Sequence, residues 1–247
     1  MTLSEFFTRN PDVALAFSGG TDSAYLLWAA VKNGANVRPY YVNAAFQPAF
    51  ELEDAQKLCS QLGVSLRVIE ADVLSDPVIV SNPQDRCYYC KHAIFSALSK
   101  AAAEDGYRIL LDGTNASDDA ADRPGMRALE ELHVLSPLRL CGLTKAQIRE
   151  ESKKAGLFTH DKPAYACLAT RIPTGDPITA GLLQRIEQSE NALFALGFTD
   201  FRVRVFHDAA RIQLPQAQFA LACEKREKIR AALKPFFETI LLDTEVR

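Results

Sequence analysis

The chain has no apolar run approaching the length of a bilayer-spanning helix. Met1 to Asp12 also lacks the cationic start and apolar stretch of a secretion signal. Neither a membrane anchor nor an export route is expected. There is no excess of charge of either sign, with 28 Lys and Arg against 31 Asp and Glu and a formal net charge of −3. That balance excludes a global pull toward nucleic acid or an anionic membrane, though not a local basic patch. Internal repeats, low-complexity segments and zinc-ribbon cysteine pairs at either end are absent, as is any ammonia-supplying domain. What is present, 48% apolar and 24% charged residues over 247 positions, suits a cytoplasmic globular protein of one large domain or two modest ones. In that compartment six cysteines read as thiols, metal ligands or catalytic groups rather than as disulfides.

Two familiar phosphate-binding signatures are also missing: G-x-x-x-x-G-K-S/T, whose lysine reaches the terminal phosphates, and the dinucleotide G-x-G-x-x-G. In their place Ser18-Gly19-Gly20-Thr21-Asp22-Ser23 joins an apolar run, Val13 to Phe17, to an amphipathic helix from Ser23 to Lys32. A small-residue loop that leaves a strand and opens a helix presents bare backbone N–H groups at the positive end of a helix dipole, which is an anion site. The glycines admit the ligand to the backbone, and the Ser18 and Ser23 hydroxyls are donors to phosphate oxygens. Asp22 braces the loop or reaches Mg²⁺. The pattern S-G-G-x-D-S resembles the PP-loop of the ATP pyrophosphatases, which grip the pyrophosphate of ATP and transfer AMP to a substrate.

Strand-like and helix-like segments alternate over the first two-thirds of the chain: Val37–Asn43 and Ser65–Glu70 (strands), Glu51–Leu62 (helix), a long helix from Cys87 to about Asp105, and Arg108–Asp112 (strand). The apolar piece Val134–Leu138 precedes a helix that Thr144 opens and Gly156 stops. Alternation of this kind predicts an α/β fold, a parallel sheet with helices on both faces, which binds ligands at the carboxyl ends of its strands. Gly113-Thr114-Asn115 follows the Arg108–Asp112 strand and falls on the same rim as the Ser18 loop, although a lone tripeptide is equally a plain turn. Asp118, Asp119 and Asp122 serve Mg²⁺ or solvate the loop, and solvation is the simpler role for each. Pro163, Pro173, Gly175 and Pro177 mark a change of pattern. A PP-loop domain over residues 1–172 is therefore expected to be followed by a small α+β domain over 173–247. Its expected elements are a helix Thr179–Leu196, a hairpin of Phe201–Phe206 with Arg211–Leu214, a helix Ala217–Leu233 and a strand Thr239–Leu242.

Cys87-Tyr88-Tyr89-Cys90 opens a helix, and Cys167 stands in Ala164-Tyr165-Ala166-Cys167-Leu168-Ala169-Thr170-Arg171. A C-x-x-C pair admits three readings: a redox dithiol, half a zinc site completed by His92 or His160, or part of an iron–sulfur site. Three thiolates on a cluster leave one iron open, which suits chemistry better than electron storage. Cys59, Cys141 and Cys223 lie in apolar periodic segments as inert packed residues. Arg202 and Arg204 alternate on a strand and point the same way, a fork pair suited to phosphate or carboxylate, or a solvated face.

Taken together, the PP-loop, R-C-Y-Y-C-K, D-G-T-N-x-x-D-D, R-P-G, S-P-L, A-C-L-A-T-R-I-P-T-G and F-R-V-R with A-R-I-Q resemble one family across nearly the whole chain. It is the LarE family of ATP-dependent sulfur transferases, which makes the nickel-pincer cofactor of lactate racemase. The resemblance implies a small-molecule substrate, pyridinium-3,5-biscarboxylic acid mononucleotide. ATP with Mg²⁺ adenylates one of its carboxylates, and a sulfur nucleophile displaces AMP to give a thiocarboxylate. It places Ser18, Gly19, Gly20, Thr21, Asp22, Ser23, Gly113 and Thr114 at the nucleotide, with Asp22 and Cys167 catalytic. It places Arg171, Glu190, Arg202, Arg204 and Tyr88 at the substrate, with packing as the alternative for Tyr88 and thiol activation for Arg171. One branch of the family spends the sulfur of a single cysteine and is left with dehydroalanine. Another carries three, matching Cys87, Cys90 and Cys167, and holds a [4Fe-4S] cluster; this chain has all three. The resemblance further implies a homo-oligomer and, as partners, a sulfur donor and the substrate-forming carboxylase and nickel-inserting enzymes of the same pathway. A PP-loop tRNA thiolase and a nucleotide-gated metal or persulfide carrier are the rival functions. The carrier would bind ATP without releasing pyrophosphate.

Overall fold

The computed structural model describes residues 1–118 and 123–246. Asp119 and Asp122 lie outside the described residues. Along the chain come α1 (Leu3–Arg9), β1 (Asp12–Ala16), α2 (Thr21–Lys32), β2 (Asn36–Asn43), α3 (Ala49–Leu62), β3 (Arg67–Glu70), α4 (Pro77–Val80) and α5 (Arg86–Glu104). They are followed by β4 (Leu110–Leu111), α6 (Arg123–Glu131), α7 (Pro137–Leu140), α8 (Lys145–Lys154) and a 3-10 turn at Leu168–Arg171. The last elements are α9 (Ala180–Ala195), β5 (Arg202–Phe206), β6 (Ala209–Gln213), α10 (Phe219–Glu224), α11 (Arg226–Leu233) and β7 (Thr239–Leu242). Among the described residues, no helix is long and apolar enough to cross a membrane.

The chain divides into two compact units: Met1–Ala44, Ala49–Val73 and Asp85–Lys162 in the first, Ala45–Pro48, Leu74–Gln84 and Pro163–Arg247 in the second. The 172/173 boundary drawn from the sequence falls inside the second unit.

Among the described residues, the first unit holds a parallel sheet in the order β3–β2–β1–β4. Strand alternation sends Val13 and Leu15 of β1 and Val37 and Tyr41 of β2 to one face. There they share a core with Phe6 and Phe7 of α1, Leu26, Leu27 and Ala30 of α2, and Leu58 of α3. Ala14, Tyr40 and Val42 turn to the other face, where α5 buries Leu98, Ala101 and Ala102. Both faces are covered, as the alternating pattern predicted. The strand expected over Arg108–Asp112 shrinks to Leu110–Leu111. Only Leu135 of the Val134–Leu138 piece joins the sheet, by a bridge to Leu111. Pro137, its φ preset for a first helical turn, opens α7 instead. Thr144 caps α8 through a capping box with Gln147, and Gly156 at φ +70° follows its end.

In the second unit β5 and β6 form the expected hairpin, with Val203 opposite Ile212, and β7 runs parallel to β6. Thr179 caps α9, whose Leu183, Ile186 and Leu193 share the unit's buried apolar set with Phe198, Phe201, Val203, Ile212 and Leu233. The segments from earlier in the chain are tied in by backbone bonds, Leu168 N to Phe46 O at 2.9 Å and Ile178 N to Val80 O at 2.8 Å. The expected helix Ala217–Leu233 is two helices, α10 and α11. They part at Lys225, whose Nζ reaches out to donate to Leu196 O at 2.7 Å, at the end of α9.

Candidate active site

Gly20 is the N-cap of α2, and no side chain caps that helix. The first N–H groups of the helix are thus left for water or a ligand, at its positive end. Ser18 and Ser23 flank them with their hydroxyls 3.1 Å apart, Gly20 N donates to Ser18 Oγ at 3.4 Å, and Ser23 Oγ donates to Gly20 O at 3.2 Å. The glycines are sterically required. Gly19 sits at φ +70°, and a Cβ there would stand 3.0 Å from Glu51 O. A Cβ on Gly113 would lie 2.9 Å from Ser23 N, so the turn after β4 packs directly on the start of α2. That is the juxtaposition expected from the strand order.

Gly113 is followed by a tightly bonded turn. The buried Asp112 accepts from Thr114 Oγ1 and, at 2.6 Å, from Ser136 Oγ, and burial pushes its carboxyl up despite both bonds. Asn115 N donates to Asp118 Oδ2 at 2.7 Å, and Ser117 Oγ accepts from Lys145 N at 3.0 Å.

Two lysines far from the loop in sequence stand against it. Lys145 Nζ lies 2.5 Å from Asp22 Oδ2. The other carboxylate oxygen, Oδ1, is buried with no hydrogen-bond partner, and burial raises the pKa of Asp22 against the opposing pull of Lys145. Lys162 Nζ pairs with Asp54 Oδ2 at 2.7 Å and donates to Gly19 O at 3.4 Å. Thr21 Oγ1 donates to Thr159 O at 2.8 Å, tying the loop to the same segment. Sequence reasoning noted the missing loop lysine and missed these two. Thr144, the N-cap just before Lys145, was the one local signal, and it marks a helix start rather than a contact.

Cys87 and Cys90 occupy the first turns of α5 in this unit, three residues apart and so on one helix face. Cys87 is exposed with Arg86 Nη2 4.0 Å from its sulfur, and Cys90 is buried. Tyr88 is held by neighbours: its OH donates to Glu131 at 2.7 Å and the Arg127 guanidinium lies 3.9 Å over its ring. Burial pushes the Cys59 thiol up to about 12, in keeping with an inert packed residue, whereas Cys141 is half-buried and Cys223, expected to be packed, is exposed.

In the second unit Cys167, half-buried, precedes the 3-10 turn. Arg171 is buried beside it and makes a two-pronged ion pair with Glu190, Nε to Oε1 at 2.9 Å and Nη2 to Oε2 at 3.0 Å. Arg202 donates to Ala164 O at 2.6 Å and Arg204 to Thr170 O at 2.7 Å. The arginines of β5 therefore both face the Cys167 segment. Among the described residues, no group of three or more His, Cys, Asp and Glu side chains is gathered to hold a metal ion.

Comparison with known proteins adds the following. The family model for queuosine biosynthesis protein QueC matches residues 12–82, the stretch that carries the Ser18 loop. An uncharacterized protein of Synechocystis is 35% identical over 87% of this chain and 81% of its own length. Pyridinium-3,5-bisthiocarboxylic acid mononucleotide synthase of Lactiplantibacillus plantarum is 32% identical over 94% of this chain and 85% of its own. More distant is the tRNA-5-methyluridine(54) 2-sulfurtransferase of Pyrococcus horikoshii, 25% identical over 47% of this chain and 39% of its own.

Proposed function

The chain belongs to the family of pyridinium-3,5-bisthiocarboxylic acid mononucleotide synthase, and from that membership we propose that it is an ATP-dependent sulfur transferase acting on a carboxylated pyridinium mononucleotide. The observation that carries this reading is the uncapped start of α2, walled by Gly19 and Gly113, with an unpartnered Asp22 oxygen beside it. That arrangement fits a polyphosphate and its cation. The loop N–H groups and the Ser18 and Ser23 hydroxyls take the phosphates, Lys145 and Lys162 supply positive charge, and Asp22 would hold Mg²⁺, which neutralises the phosphates when bound.

A substrate carboxylate oxygen then attacks the α-phosphorus of ATP, pyrophosphate leaves, and an acyl-adenylate results. A sulfur nucleophile adds to the acyl carbon and AMP departs, a far better leaving group than hydroxide. Arg202 and Arg204 are assigned to the anionic groups of the mononucleotide, because their guanidinium forks face the segment that carries Cys167. For the sulfur, the donor chemistry of Cys87, Cys90 and Cys167 fits a [4Fe-4S] cluster: three thiols, two of them on one helix face. Cys87, Cys90 and Cys167 would hold that group, which would supply an exchangeable sulfide when bound. A homo-oligomer in the cytoplasm, served by the enzymes that make and consume its mononucleotide, completes the proposal.

Anaerobically purified protein should show a broad band near 400 nm with matching iron and sulfide, lost in Cys87→Ala. With ATP and the biscarboxylate it should release pyrophosphate and AMP. A colourless, iron-free protein that resists reconstitution would replace the cluster by sacrifice of the Cys167 sulfur, visible as a mass loss of about one H₂S. ATP binding without pyrophosphate release would overturn the enzymatic reading.

A further inference from the structure

Glu190 is almost wholly removed from solvent, and so is the Arg171 side chain paired with it. Its Oε1 accepts from Arg171 Nε at 2.9 Å and from Val203 N at 2.9 Å; its Oε2 accepts from Arg171 Nη2 at 3.0 Å and from the Tyr165 hydroxyl. A carboxylate offers about four lone-pair sites, and these four donors fill them. Arg171 turns its remaining arm, Nη1, to the backbone around the thiol: Ala166 O at 2.7 Å, Cys167 O at 3.2 Å and Thr170 Oγ1 at 3.0 Å. The Tyr165 ring, two residues before the cysteine, lies 4.5 Å from the Arg171 guanidinium carbon and 4.9 Å from that of Arg202. A buried ion pair often stabilises a fold no more than a well-packed apolar replacement would, but it does impose one arrangement on the groups it joins.

We propose that Tyr165, Glu190 and Arg171 act as a positioning unit that fixes the Cys167 thiol for sulfur transfer. The unit takes no part in adenylation. Glu190 orients Arg171, Arg171 holds the two carbonyls that bracket the Cys167 peptide, and Tyr165 locks the carboxylate through its hydroxyl and the guanidinium through its ring. This rests on the proposed function, in which Cys167 serves the sulfur step, either as a ligand that holds the transferred sulfide in place or as the attacking thiol itself. Attack on an acyl carbon tolerates little misplacement, and an error of about 1 Å can cost about a hundredfold in rate.

The test uses the full-length protein with Tyr165→Phe, which keeps the ring, and Arg171→Lys, which keeps the charge opposite Glu190. Three quantities are read: pyrophosphate release with ATP and the biscarboxylate, thiocarboxylate formation, and iodoacetamide labelling of Cys167 in metal-free protein with the exposed Cys223 as internal reference. For Tyr165→Phe we expect pyrophosphate release and the KM values for ATP and mononucleotide to stay within about twofold. Thiocarboxylate formation should fall about ten- to a hundredfold, and Cys167 labelling should accelerate severalfold relative to Cys223. A rise in mononucleotide KM, or a parallel fall of both half-reactions, would make the Tyr165–Glu190–Arg171 unit part of substrate binding and overturn the proposal. Unchanged thiocarboxylate formation would do the same. Cys167→Ala separates the two levels: if it transfers sulfur normally, the role given to Cys167 fails, while the labelling ratio still reports whether Tyr165 fixes that thiol.

Discussion

At Ser18–Ser23 the chain leaves backbone donors and a carboxylate oxygen uncommitted, whereas around Cys167 the carbonyls and the buried carboxylate are engaged by arginines and a tyrosine. The first region is built from glycine, serine and threonine, residues that take up little room and expose their backbone. The second is built around long side chains, those of Arg171, Glu190 and Tyr165, whose polar ends are spent on the protein itself. An open polar site is stabilised by its ligand when that arrives. A closed one holds a group still in its absence. In the proposed function the two patterns would serve the two half-reactions, the loop taking the phosphates and the Cys167 region the sulfur step.

The sharpest way to separate them is Cys167→Ala. It should reduce thiocarboxylate formation by at least about 10³-fold while pyrophosphate release persists, measured on the same sample. Loss of both would mean that the regions do not divide the chemistry. Next in size is Gly19→Ala. A left-handed φ costs a non-glycine residue about 1–2 kcal/mol, and the added Cβ presses on the Glu51 carbonyl, so ATP affinity by calorimetric titration should drop about tenfold or more. Unaltered affinity would show that the loop does not approach the phosphates. Lys145→Ala should raise the KM for ATP about three- to tenfold, the net worth of one ordinary hydrogen bond, without changing Cys167 labelling. A change in labelling would tie the lysine to the other region.

The smallest effect concerns Asp22 and stability. Burial raises its pKa in the folded protein above the unfolded value. For a carboxyl shifted that way, stability is greatest below the unfolded pKa and is lost as pH rises through the folded one, because the fold then carries a buried charge. Asp22→Asn removes that penalty. At neutral pH its Tm should equal or slightly exceed that of the parent, while ATP binding weakens. A clear fall in Tm would show that the ion pair with Lys145 outweighs the burial.

Much of this was legible in the chain. The parallel sheet, the capped ends of α8 and α9, the β5–β6 hairpin and the Ser18 loop all follow from local periodicity, capping residues and small-residue runs, which act over a few positions. The β4 strand came out shorter than its apolar run, because a strand ends where its neighbour stops pairing with it. The break at Lys225 was equally hidden, since the lysine is drawn away by a carbonyl 29 positions earlier.

Sequence alone determined the motifs and their order: an anion loop opening α2, a C-x-x-C pair opening α5, and a third cysteine before an arginine. Small residues and helix starts make those features local, and local features survive without knowledge of the fold. Tertiary structure decided which long side chains complete them. Lys145 and Lys162 reach the loop across more than a hundred positions, and Glu190 reaches Arg171 across 19. A charged side chain in a sequence carries no address; its partner is chosen by which helix and strand the packed core brings within about 3 Å, the length of one hydrogen bond.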